Sequence, residues 1–99
     1  HERLVGSEMC KETVPGLDPD GLHRLAARLS EATTGLCAAL TPNEKGTGYC
    51  IARSGGDVRP LTKALNTALN GRGGGKPGIC QGSCTATPEQ VEEFLRKAL

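Results

Sequence analysis

The chain has 99 residues, 36% of them hydrophobic and 23% charged, with a formal net charge of +1. That size closes one core and is read as a single domain over residues 1–99, without room for a two-lobed catalytic cleft. No run of about 18 apolar residues occurs and no basic stretch leads into an apolar one, so neither a membrane span nor a signal peptide is expected.

Taken in chain order, Arg3 to Val14 carries apolar residues without helical spacing and stops at Pro15-Gly16, which predicts a strand. Asp18-Pro19 is a cap followed by proline in the first turn, and Leu22, Leu25, Ala26 and Leu29 then fall on one helical face, predicting a helix to about Ala32. Leu36 to Leu40 and Gly48 to Ala52 read as two neighbouring strands, with a turn expected at Pro42-Asn43. Asp57 is the expected cap of a second helix, with Pro60 in its first turn and Leu61, Ala64, Leu65, Ala68 and Leu69 on its apolar face. Asn70-Gly71 stops it, because both residues tolerate the left-handed conformation.

Gly71 to Gly78 holds five glycines, Arg72, Lys76 and Pro77 and no apolar side chain, and it reads as a loop. Ile79 to Ala86 predicts a last strand. Thr87-Pro88-Glu89-Gln90 is then a capping box that opens a helix with Val91, Phe94, Leu95 and Ala98 on its buried face. The expected fold is therefore α/β (α+β), with about three helices on a small mixed sheet of four to five strands.

Charge is concentrated along this chain. Arg53, Arg59, Lys63, Arg72 and Lys76 stand against Asp57 alone, a local +4, and the rest of the chain carries -3. A compact basic patch attracts phosphates, although a solvated helix face would give the same pattern. In the glycine run, Gly73, Gly74 and Gly75 let a backbone or a phosphate approach closely, with Arg72 and Lys76 on either side. A connection that needs positive φ angles is the alternative. A nucleotide-hydrolysing P-loop is excluded, since the run follows a helix, is one residue short and has Pro77 where a magnesium-binding hydroxyl belongs. A dinucleotide fingerprint fails as well, because no helix opens after the glycines.

Catalytic and metal chemistry find no support. Cys80 and Cys84 on one strand would lie roughly 13 Å apart, too far for a disulfide or a shared zinc. His23 belongs to a helix and no nucleophile turn faces it. The five cysteines, odd in number and set in apolar runs, fit buried thiols in a reducing cytoplasm. Tyr49 and Phe94 are the only aromatic residues, which argues against base stacking on an aromatic platform.

At Gly71-Arg72-Gly73-Gly74-Gly75-Lys76-Pro77, followed by Gln81-Gly82-Ser83, the chain resembles the C-terminal domain of the alanyl-tRNA synthetase superfamily, the DHH-associated or C-Ala type of domain. The resemblance extends to Gly16-Leu17-Asp18 and covers nearly the whole chain. It implies a tRNA-contacting module in which Arg59, Lys63, Arg72, Gly73, Gly74, Gly75, Lys76 and Gln81 are the expected nucleic-acid contacts. Lys76 stands where the phosphoesterases of the superfamily carry histidine, and the Lys76-to-Ser83 stretch looks closer to the alanyl-tRNA editing proteins. The resemblance further implies an upstream catalytic domain, ligase or editing hydrolase, with zinc expected only there and no catalytic residue or cofactor here. The chain opens on His1 and is accordingly expected to be a segment of a longer protein. The expected partners are tRNA and a homodimer; the alternative readings are a protein-interaction or dimerisation module, pairing through an apolar sheet edge or Leu36 to Leu40, and the substrate-binding half of a DHH-family phosphoesterase.

Overall fold

A computed structural model describes residues 9–32, 35–53 and 56–98. Their elements run β1 (Met9–Thr13), α1 (Pro19–Ala32), β2 (Leu36–Asn43), β3 (Gly46–Arg53), α2 (Arg59–Leu69), β4 (Arg72–Lys76), β5 (Ile79–Cys84) and α3 (Pro88–Ala98). The five strands form one sheet in the order β1-β2-β3-β5-β4. β1 and β2 pair parallel, with α1 as the crossover between them, and every other pairing is antiparallel, so the sheet is mixed as expected.

Alternation along the central strands sorts their side chains into two layers of core. Leu36, Ala38 and Leu40 of β2 and Tyr49 and Ile51 of β3 face α2 and α3, where they meet Leu65, Val91 and Leu95. Ala39, Cys50 and Ala52 turn to the other face and pack against Leu22 and Ala26 of α1. Small residues there let the helix lie close to the sheet, while the larger ones fill the thicker layer under two helices.

The helix ends follow the predicted chemistry in two of three cases. Asp18 Oδ1 accepts the Gly21 N–H at 2.7 Å at the start of α1. The Thr87-Gln90 box is closed in both directions, Thr87 N–H to Gln90 Oε1 at 2.9 Å and Gln90 N–H to Thr87 Oγ1 at 3.2 Å. α2 departs from expectation, because its N-cap position is Val58, which makes no side-chain cap. Asp57 lies one residue earlier and its carboxylate takes the Arg59 N–H and guanidinium instead. The stop is as read, with Asn70 left-handed at φ 56°.

Several strand bounds are corrected. The first strand begins no earlier than Met9 among the described residues, and residues 3–8 of the predicted strand lie outside them. Pro42 and Asn43 belong to β2, and the hairpin turns at Glu44 and Lys45 instead. Ala64, Ala68 and Ala98 are exposed, whereas Thr62 is buried and donates its hydroxyl to the Val58 carbonyl at 2.8 Å. β2 lies between β1 and β3, so Leu36 to Leu40 has no free edge with which to pair a second subunit. Among the described residues, the open edges are those of β1 and β4. No described helix is long and apolar enough to cross a membrane.

Candidate nucleic-acid interface

The glycine-rich run expected as a loop is the edge strand β4, and its five residues are all exposed. What the sequence hides is the pairing partner. Gly73 faces Gly82 of β5, and a Cβ on Gly73 would sit 2.4 Å from the Gln81 carbonyl and 2.5 Å from Gly82 Cα. Gly73 has φ +152° and Gly75 φ +159°, backbone that L side chains rarely adopt, so both glycines are required by the pairing itself. Two bare backbones can thus approach where side chains would hold them apart.

Gly74 is different. Its φ is ordinary, and a Cβ there would meet nothing within 4 Å. The fold gives no reason for glycine at this position. Register places Gly74 opposite Gln81, with Arg72 opposite Ser83 and Lys76 opposite Ile79. Ile79 packs on the α1 side, so alternation puts Arg72, Gly74 and Lys76 together on that face of the edge strand. Two exposed cations therefore flank one bare glycine, each about 7 Å along the strand from it.

The other face of β4 looks onto α2. A groove of about 480 Å³ runs between them, walled by Arg59, Lys63 and Asn66 and floored by Gly73, Gly74 and Gly75. The N-terminal end of α2 is held in place by Val58, whose N–H donates to the Pro77 carbonyl at 2.7 Å. In the middle, Asn66 Nδ2 donates to the Gly73 carbonyl at 3.3 Å. Counting from the two-residue turn at Pro77 and Gly78, Gly73 and Gly75 hold the positions whose amides point away from β5, toward the open edge.

The predicted contacts are thus divided between two faces of one strand. Arg59 and Lys63 belong to the α2 side, but Arg59 is already engaged in a two-pronged pair with Asp57 at 3.0 Å. This fork holds the Asp57 carboxyl below its ordinary range. Gln81 lies opposite Gly74 on the α1-side face, but it is already engaged: its Nε2 donates to the Pro19 carbonyl at 2.6 Å and ties β5 to the start of α1. Tyr49, which sequence reasoning treated only as a scarce aromatic, lies under the glycine pair and is completely buried. Burial pushes its phenol up to about 12, which keeps it a neutral hydrogen-bond donor.

His23 is exposed on α1, and among the described residues no group of three or more His, Cys, Asp or Glu side chains could hold a metal ion. The five cysteines are free, four of them buried and Cys10 partly so.

The fold is that of the C-Ala domain of Aquifex aeolicus alanyl-tRNA synthetase. Its crystal structure superposes with a TM-score of 0.84 over 99% of this chain and 96% of that one, at 18% sequence identity. No curated protein sequence matches the chain. The DHHA1 domain model matches residues 6–99, nearly the full length and the glycine strand included, and the chain therefore belongs to the DHHA1 domain family.

Proposed function

We propose that this domain is a tRNA-contacting module of a cytoplasmic protein of the alanyl-tRNA synthetase family, and that RNA phosphates lie along the open edge of β4. The observation that carries the reading is Gly74, a glycine that the fold does not require, set between the exposed cations Arg72 and Lys76. A residue without a side chain there lets a phosphate reach the strand, with the edge amides of Gly73 and Gly75 as donors. Lys63 supplies charge from the α2 side. The likeness to a synthetase C-Ala domain supports tRNA as the polyanion. Aminoacylation or deacylation belongs to another domain of the parent protein, and this chain contributes binding.

With so few cations, the contact covers about three or four phosphates, for a log-log salt slope near -3. Folded RNA is recognised by shape and backbone, since neither aromatic residue is exposed at this edge. The test is a tRNA titration of the domain from low to physiological salt, repeated with Arg72 and Lys76 both changed to alanine. The double variant should bind more weakly and lose about two from the slope. Equal binding by the two proteins would refute the site, and an absence of binding at low salt would refute the function.

A further inference from the structure

Arg72 also lines a second cleft, apart from the α2 groove, at the end of the sheet where the β2–β3 turn faces the start of β4. The cleft measures about 550 Å³, and the end of β5 forms its floor. Gly46 builds it: with φ +145°, it sets the turn directly against the backbone of Cys84 and Thr85, where a Cβ would be 2.1 Å from the Cys84 carbonyl. Lys45 of the β2–β3 turn and Arg72 of β4 both line it, and strand order places them on opposite sides of the end of β5. Asn43, Asn70 and Ser83 add polar groups, and Glu44 is the one acid among the described lining residues. Asn43 Oδ1 accepts the Lys45 N–H at 2.8 Å, which leaves the Asn43 amide NH2 free to donate.

We propose that this cleft binds a nucleotide phosphate between Lys45 and Arg72. The volume is that of a small-ligand site and admits a nucleoside monophosphate. The walls combine two cations with amide and hydroxyl donors, the set that phosphate oxygens take. Neither Tyr49 nor Phe94 lines the cleft, so the phosphate is gripped and the base is not stacked. A free nucleotide and a nucleotide of a bound RNA share this chemistry. The proposal goes beyond the β4 edge contact and does not depend on it.

The experiment is an NMR titration of the uniformly 15N-labelled chain with AMP, and with adenosine as the uncharged control. AMP should move the amides of Asn43 to Lys45 and of Ser83 to Thr85 saturably, and adenosine should leave them in place. Lys45→Ala, an exposed turn position, should keep the spectrum of the folded domain and weaken AMP at least about tenfold. The proposal fails if AMP produces no saturable shift at these amides up to about 10 mM, or if Lys45→Ala titrates like the parent. Titration with tRNA separates the two sources. Weaker tRNA binding by Lys45→Ala assigns the phosphate to RNA, and unchanged tRNA affinity alongside AMP binding assigns it to a free nucleotide. Loss of tRNA binding in Gly74→Ala alone would bear on the edge contact and leave the cleft untouched.

Discussion

The buried hydroxyl of Tyr49 donates a 2.6 Å hydrogen bond to Asn66 Oδ1, and the same Asn66 amide donates to the Gly73 carbonyl at 3.3 Å. One side chain of α2 therefore joins β3 to the edge strand and fixes the width of the groove between α2 and β4. Replacing Asn66 with alanine leaves the Tyr49 hydroxyl unpaired under a packed layer. Urea denaturation should show a loss of about 1–3 kcal/mol for Asn66→Ala, and a smaller loss, about 1 kcal/mol, for Tyr49→Phe.

The three adjacent glycines of β4 should respond unequally to substitution. Gly73→Ala places a methyl inside the backbone of β5 and forces an unfavourable φ, so it should destabilise the domain by about 3 kcal/mol or more. Gly74→Ala has open space and ordinary backbone, and should stay within about 1 kcal/mol of the parent while tRNA binding falls. Thermal melts and binding curves of both variants check this, and a Gly74→Ala protein that binds tRNA normally would remove the main support for the edge site.

Acid should weaken the attachment of α3. Glu92 pairs with Lys11 of β1 at 2.9 Å and with Arg96 at 2.7 Å, and the Lys11 hydrogen bond leads in holding its carboxyl below the ordinary value of 4.5. A carboxyl depressed in the folded state contributes stability above its unfolded value, and that contribution is lost as pH falls through the lower, folded one. Denaturation midpoints measured from pH 6 down to about pH 3 should therefore fall less steeply in Glu92→Gln than in the parent.

Thiol chemistry should follow burial. Desolvation pushes Cys50 up to about 12 and Cys37 up to about 11, so neither presents appreciable thiolate at neutral pH in the folded domain. Iodoacetamide labelling followed by peptide mass spectrometry should modify the partly exposed Cys10 first. Modification of Cys37 and Cys50 should appear only once denaturant is added, and early labelling of either would contradict their placement in the core.

The amino-acid sequence determined every element whose signal is local. Helical spacing placed α1, α2 and α3, and cap residues such as Asp18, Asn70, Thr87 and Gln90 marked ends that the structure confirms. The mixed sheet was legible because apolar runs bounded by turns have the right length for strands. The basic cluster and the glycine run were legible as composition, and their family resemblance was carried by the same residues.

Tertiary pairing decided the rest. Arg72 to Lys76 has no apolar side chain and no local strand signal, yet it becomes a strand because Gly73 and Gly82 let two backbones meet across nine residues of sequence. Which glycines the fold requires, and that Gly74 is not among them, depends on what lies opposite each one. The same register sets Arg72 and Lys76 on one face of β4 and leaves Arg59 and Lys63 on the other, and it gives Gln81 to the Pro19 carbonyl. Side-chain direction in an edge strand is fixed by its neighbour's pleat, and one residue's identity does not contain that information.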